Sequence, residues 1–152
     1  MEIRPRLKIT LSQLDKRLEL GSLILMLAMW GLTIFSFIKL PNTIPIHYNG
    51  SGQVDSYGDK MTLFLLPIIA TIIYFGLTKL NKYPHIFNYM TTITSENAEK
   101  NYGIATRMLR FLKFTIILVF TSIILVTYWT TIGITKGLGT WFLPLDLFPV
   151  YI

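Results

Sequence analysis

Residues 40–60 read LPNTIPIHYNGSGQVDSYGDK and separate two uncharged, apolar runs at 20–38 and 61–78. Each run approaches the roughly 20 residues that a helix needs to cross about 30 Å of hydrocarbon. The stretch between them is polar and rich in turn-forming residues, so it interrupts the helical pattern. The sequence therefore predicts a shaped loop at a membrane surface, held between two membrane-spanning helices.

The composition agrees with an integral membrane protein. Hydrophobic residues make up 52% of the 152 residues, and the mean hydropathy is +0.52. A third uncharged run, at 114–132, is also long enough to span. We predict an all-α membrane protein with a single domain, 1–152, and three transmembrane helices at about 20–39, 61–79 and 112–133.

Lysine and arginine are unevenly distributed around these spans. Five precede the first span, two flank the loop 40–60, six lie between the second and third spans, and one follows the third. By the positive-inside rule, this bias places the amino terminus and residues 80–111 in the cytoplasm. The loop 40–60 then faces outside. The net charge of +6 is thus explained by anionic lipid, and we expect no nucleic acid partner.

The amino-terminal segment 1–19 has a helical pattern of its own. Its leucines recur on one helix face, at Leu7, Leu11, Leu14 and Leu18. With Thr10 and Gln13 at capping-box spacing, this pattern predicts a short amphipathic helix on the cytoplasmic membrane face. The alternative is an irregular basic tail.

The third helix is expected to be longer than its span. No proline occurs between Ser95 and Pro144, so one helix could run from near residue 95 to near residue 132 and project into the cytoplasm. Ile104, Met108 and Phe111 form an apolar stripe, which we expect to pack against the amino-terminal helix. Residues 137–152 are apolar but contain two prolines. They predict a short interfacial or re-entrant segment on the outer side.

The loop 40–60 has a strand-like pattern. Ile44, Ile46 and Tyr48 alternate with polar residues, and Asn49-Gly50 is a favoured pair for a tight hairpin turn. We therefore predict a small hairpin in which His47, Tyr48, Asn49, Gly52, Asp55 and Lys60 organise the loop or bind a partner.

The same loop contains candidate cation ligands in His47, Asp55 and Asp59. Their spacing matches neither a calcium loop nor a zinc motif, so we expect no metal site. The chain has no cysteine, and its other histidine, His85, lies on the opposite side of the membrane in the predicted topology. We expect no catalytic site and no cofactor. The polar side chains either bond the loop's own backbone and Lys60 or recognise an external partner.

Two motifs resemble a known family. The first comprises Leu40-Pro41, Ile44-Pro45, His47-Tyr48-Asn49, Gly52, Asp55, Gly58 and Lys60. The second, in the cytoplasmic loop, comprises Pro84-His85, Phe87-Asn88-Tyr89, Ile93-Thr94, Glu96-Asn97-Ala98 and Tyr102. Residues 20–140 thereby resemble the bacterial membrane domain of unknown function found at the amino-terminal end of Sdp-type immunity proteins (SdpI-like), in a short form.

The resemblance implies a protein of the bacterial cytoplasmic (inner) membrane. It also implies resistance to a secreted peptide toxin and membrane capture of a repressor, although full-length immunity proteins carry further spans. We expect a non-catalytic regulatory, sensing or immunity protein whose partners are the bilayer and other membrane proteins or a peptide. The alternatives are an accessory subunit of a larger membrane complex and, third, a membrane enzyme or transporter.

Overall fold

The computed structural model describes residues 4–139 and contains three long helices. They are α1 (Gln13–Lys39), α2 (Leu65–Leu80) and α3 (Ala98–Thr131). A two-stranded sheet lies between α1 and α2, and a 3₁₀ turn at Pro84–Ile86 lies between α2 and α3. The chain divides into two compact units, one formed by Met1–Met26 and Ile69–Leu118, the other by Leu27–Ile68 and Val119–Ile152.

All three predicted spans are helical. The segments Gln13–Lys39, Lys60–Leu80 and Ala98–Thr131 are each long and apolar enough to cross a membrane. The 34 residues of α3 extend about 50 Å, well beyond the roughly 30 Å of a hydrocarbon core. The expectation of an over-long third helix is therefore confirmed.

The predicted hairpin is present. Strand β1 (Thr43–Tyr48) pairs in antiparallel fashion with β2 (Val54–Asp59). A 3₁₀ turn at Lys60–Phe64 follows β2, and the Asp59 carboxylate caps it by accepting a 2.7 Å hydrogen bond from the Met61 amide. The hairpin rests on a small apolar core formed by Leu40, Ile44 and Leu63, with Phe37 and Tyr128 packed against it.

Two details of the predicted hairpin are wrong. Its turn is not a tight Asn49-Gly50 turn, because the strands are joined by residues 49–53 and the left-handed position belongs to Gly52, with φ of 72°. The strict alternation also fails, because the register shifts at Ile46 in β1 and at Asp55 in β2. Such bulges turn side chains relative to the regular pleat. Ile44 is consequently buried, whereas Ile46 is exposed.

The predicted amino-terminal amphipathic helix is not formed as a separate element. Residues 4–12 are non-helical, and α1 begins at Gln13. The Arg4 guanidinium donates to the carbonyl oxygens of His85 and Phe87 at 3.3 and 2.6 Å, and the Tyr102 hydroxyl donates to the Pro5 carbonyl at 3.1 Å. The alternative of an irregular segment is therefore correct for residues 4–12, and these contacts hold that segment against its own unit.

The apolar stripe of α3 also differs from expectation. Ile104, Met108 and Phe111 are exposed, so they do not pack on the beginning of α1. The buried face of the same part of α3 carries polar residues instead, at Thr106, Arg110 and Lys113. Since buried cations require opposite charges, this face is matched to the acidic beginning of α1.

The segment after α3 returns to the hairpin turn. Gly137 forms an isolated bridge with Gln53, and the Leu138 amide donates to the Gly52 carbonyl at 2.7 Å. Leu138 is buried. Only this beginning of the predicted interfacial segment 137–152 can be described, because residues 140–152 lie outside the described residues.

Candidate functional site

Five of the six loop residues that the sequence singled out lie in the hairpin between Thr43 and Asp59, and Lys60 directly follows it. His47 and Asp55 lie on opposite strands, and their side chains meet, with 2.6 Å between Nδ1 and Oδ1. Both side chains remain accessible, at 68% and 39% exposure. The two register shifts lie at this pair, one at Ile46 beside His47 and the other at Asp55. An exposed pair of this kind contributes little to stability.

Asn49 organises the turn. Its side-chain oxygen accepts hydrogen bonds of 3.0 Å from the amides of Ser51 and Gln53, and its own amide donates to the Gln53 carbonyl at 2.8 Å. This is the backbone-bonding role that asparagine often has in turns. The interpretation that polar residues close the loop is therefore correct for Asn49.

Lys60 does not bond the polar side chains of the loop, as the sequence had suggested. Its ammonium donates to the Leu40 carbonyl at 3.2 Å, and it lies 4.9 Å from the centre of the Phe37 ring. It is thus joined to the end of α1 rather than to the carboxylates of the hairpin. Since Leu40 and Lys60 precede and follow the hairpin, this contact closes its base.

Tyr48 joins the hairpin to α3. Its hydroxyl lies 2.8 Å from the Thr127 hydroxyl. Burial raises the pKa of Tyr48 above its ordinary value, and the hydrogen bond with Thr127 opposes part of this shift. Tyr48 also lines a cavity of about 450 Å³, together with residues of α2 and α3. The phenol is therefore a neutral structural contact at physiological pH.

Gly52 is required by two independent features. Its backbone is left-handed, a conformation that residues with a Cβ rarely adopt. A Cβ at this position would also lie within 2.6–2.8 Å of the Gly139 backbone. The glycine thus permits residues 137–139 to approach the turn.

The candidate residues of the second loop form a different structure. Tyr89 donates its hydroxyl hydrogen to the Pro84 carbonyl at 2.9 Å, and its ring lies 5.6 Å from the Arg4 guanidinium. Burial raises the pKa of Tyr89. The ring also packs on Tyr102, beside the core residues Ile93 and Ala98. These contacts fix the irregular segment before α3.

The remaining members of that motif separate into two groups. Asn97 orders the beginning of α3, because its side chain accepts from the Thr94 amide and donates to the Thr92 carbonyl, both at 3.0 Å. Asn88 and Glu96 are exposed, and His85 contributes its backbone carbonyl to Arg4. The motif therefore acts mainly as a structural motif for this loop.

A cluster of charged residues between α1 and α3 was not anticipated. Arg107 donates through Nε to Asp15 at 3.0 Å, Arg110 donates through Nε to Glu19 at 3.1 Å, and the Lys113 ammonium lies 2.6 Å from Glu19. Arg110 also approaches Asp15 at 3.8 Å. Lys113 has no exposed surface, and its ammonium also donates to the Thr78 hydroxyl at 2.9 Å.

The sequence contained a signal for this cluster. The two acids are four residues apart on α1, and the three bases follow at intervals of three on α3, so each set occupies one helix face. Matching these faces would have predicted the pairing. The pairing is not visible in a count of the cations on each side of the membrane. Three bases face two acids, so the cluster has an excess of one positive charge.

Within residues 4–139, no group of three or more His, Asp or Glu side chains is arranged to hold a metal ion. His47 and Asp55 meet, but Asp59 is engaged in capping the 3₁₀ turn. The candidate ligands are therefore not brought together as one coordination set.

A family model matches the region that contains the hairpin. Residues 24–71 match a family described as a domain of unknown function (DUF1648), and this range contains the whole hairpin. The chain is also similar to an uncharacterised protein of Archaeoglobus fulgidus, with 29% identity over 86 residues. That match covers 51% of this chain and 47% of the relative, so the chain spans about half the length of that protein. No solved structure matches the chain.

Proposed function

We propose that this chain is a non-catalytic regulatory or sensing protein of the bacterial cytoplasmic membrane and that its hairpin recognises another protein or a peptide. An immunity-type role is the form of this function that the resemblance to SdpI-like proteins implies. In this proposal the amino terminus and residues 80–111 lie in the cytoplasm, α3 projects there, and the hairpin faces outside.

One observation carries the proposal. The hairpin exposes large apolar side chains, with Ile46 at 42% and Tyr57 at 64% exposure. Ile46 lies against Gly58, where a Cβ would be only 2.6 Å from the Ile46 Cδ1 atom. Aromatic residues are enriched at protein contact surfaces, so the exposed Tyr57 ring supports recognition of a protein or a peptide. The polar residues of the turn, by contrast, are engaged in holding it.

The match to a domain of unknown function supports the hairpin as the relevant region, because it covers residues 24–71 and ends within α2. The positive charges support the orientation. Single cysteines test that orientation cleanly, because the natural chain has none. A membrane-impermeant thiol reagent is expected to label Ser51→Cys in intact cells but not Ser95→Cys, and the reverse pattern would contradict the topology.

Recognition is tested by a matched pair of variants. Native electrophoresis of mildly solubilised membranes, followed by mass spectrometry, identifies what migrates with the wild-type chain. Replacing Ile46 and Tyr57 together by serine is expected to remove that partner, whereas Met90→Ser, an exposed residue of the other unit, is expected to retain it. Equal behaviour of both variants would contradict hairpin recognition.

The same experiment distinguishes the accessory-subunit alternative. Migration within one large assembly in fixed ratio would assign the chain to that complex. Migration alone or as a small homo-oligomer would favour the sensing or immunity role, and toxin challenge of a deletion strain would then test immunity directly.

A further inference from the structure

The unit formed by Met1–Met26 and Ile69–Leu118 contains a cavity of about 840 Å³ that the proposed function does not use. One part of its lining is apolar and comes from Leu7, Ile9, Leu11 and Pro84. Another part is basic and comes from Arg6, Lys8, Lys82 and Arg110. Its volume is in the range of sites for small amphiphilic molecules.

The charge of the lining is strongly unbalanced. Four cations are opposed by a single carboxylate, Glu19, which is already shared by Arg110 and Lys113. Arg6, Lys8 and Lys82 have no ion-pair partner among residues 4–139. Three unpaired cations at one cavity favour an anionic occupant.

A second observation is independent of this charge. Asn81 lines the cavity, and both polar atoms of its side chain are buried without a hydrogen-bond partner. Buried amides are nearly always hydrogen-bonded, because leaving them unpaired is unfavourable. A ligand with oxygen acceptors and a hydroxyl group would satisfy both atoms once the amide turns toward the cavity.

We propose that this cavity is a binding site for an anionic phospholipid. Its phosphate is held by Arg6, Lys8 and Lys82, its polar headgroup reaches Asn81, and its first acyl carbons lie against Leu7 and Leu11. The apolar wall favours a lipid over free phosphate, because an inorganic ion has nothing to bury there. Basic pockets beside transmembrane helices are suited to acidic headgroups. The proposal goes beyond recognition by the hairpin and holds even if the hairpin binds nothing.

Native mass spectrometry of the full chain, released from micelles containing phosphatidylglycerol or phosphatidylcholine, tests the site. The chain is expected to retain phosphatidylglycerol and to release phosphatidylcholine. Replacing Arg6, Lys8 and Lys82 by glutamine should weaken retention roughly tenfold or more. All three side chains are exposed, so the variant should fold. The matched control replaces three exposed lysines by glutamine, at Lys39, Lys100 and Lys136. It removes the same amount of charge, but none of these residues lines the cavity.

Asn81→Leu tests the site without changing its charge. This variant is expected to retain phosphatidylglycerol about fivefold more weakly, because the hydrogen bonds to the lipid are lost. An equal loss in the control triple variant would show general charge attraction and overturn the proposal. Equal retention of phosphatidylcholine would also overturn it. So would displacement of the lipid by an equal concentration of soluble glycerol 3-phosphate, because the apolar wall would then contribute nothing.

Discussion

The ammonium of Lys113 lies 2.6 Å from the Glu19 carboxylate and has no exposed surface. The same carboxylate accepts a 3.1 Å hydrogen bond from Arg110, which is also buried. A buried charge is strongly unfavourable unless an opposite charge accompanies it. Glu19 is the one acid that pairs with Lys113 among residues 4–139, whereas Arg110 also lies 3.8 Å from Asp15, so the three residues do not contribute equally to stability.

Glu19→Gln is predicted to be more destabilising than Lys113→Met. The first change leaves Lys113 with only neutral partners, and we expect it to lower the free energy of unfolding by about 3 kcal/mol or more. The second leaves Glu19 paired with Arg110, so we expect a loss of about 1–2 kcal/mol. Thermal unfolding in micelles, followed by far-ultraviolet circular dichroism, measures both.

Glu96→Gln is the control for these two variants, because Glu96 is exposed and makes none of these contacts. This control should change the free energy of unfolding by no more than about 0.5 kcal/mol. A loss for Lys113→Met that equals or exceeds the loss for Glu19→Gln would contradict the assigned role of Glu19.

The beginning of α1 gives a second prediction. Ser12 and Asp15 form a reciprocal cap, in which the Ser12 amide donates to Asp15 at 2.9 Å and the Asp15 amide donates to the Ser12 hydroxyl at 3.2 Å. Ser12→Ala should therefore lower the free energy of unfolding by about 1 kcal/mol. Thr10→Ala should have almost no effect. If Thr10→Ala lowered the free energy of unfolding as much as Ser12→Ala, the cap would lie at Thr10, as the sequence predicted.

Gly52→Ala is predicted to disturb the hairpin turn. The left-handed backbone alone costs a residue with a Cβ about 1–2 kcal/mol, and the new Cβ would meet Gly139 at 2.6 Å. Gly50→Ala is the matched control, because a Cβ there meets nothing within 4 Å. Limited proteolysis should cleave the first variant faster between residues 132 and 139. Similar cleavage of both variants would mean that Gly52 does not secure this segment.

Local patterns were sufficient to predict much of this fold. The uncharged runs gave three spans, and the alternation around Ile44 gave the hairpin. The turn was misassigned because Asn49-Gly50 has strong local preference, whereas the bonds from Asn49 to Ser51 and Gln53 produce a longer connection. Local preference is readily overridden when another arrangement satisfies more backbone groups.

The prediction of an amino-terminal helix was wrong because contacts with residues distant in sequence determine the conformation of this segment. Its leucine spacing is compatible with a helix, but Arg4 is bonded to residues more than eighty positions away, at His85 and Phe87. The charge cluster was missed for a related reason, because Asp15 and Arg107 are distant in sequence and meet only when their helices pack. Spacing within one segment does not reveal such pairs.

Tyr48→Phe is predicted to cost about 1 kcal/mol through loss of the hydrogen bond with Thr127. Its pH dependence is also defined. Because burial raises the pKa of folded Tyr48, its stabilising contribution is fully present below a pH of about 10. It is lost as the pH rises through the raised folded value. The difference in unfolding free energy between wild type and variant should therefore shrink only in strong alkali, and shrinkage near neutral pH would contradict this assignment.

The exposed pair at the hairpin gives the prediction closest to function. His47→Ala and Asp55→Asn each remove a surface contact worth no more than about 1 kcal/mol, so membrane insertion and thermal stability should change little. Partner binding or protein abundance should nevertheless fall, because in the proposed function a partner contacts these two exposed side chains. Ser51→Ala is the control, since Ser51 contacts Asn49 through its backbone amide. If both variants kept wild-type abundance and unchanged interactions, the hairpin would be only a spacer between two spans.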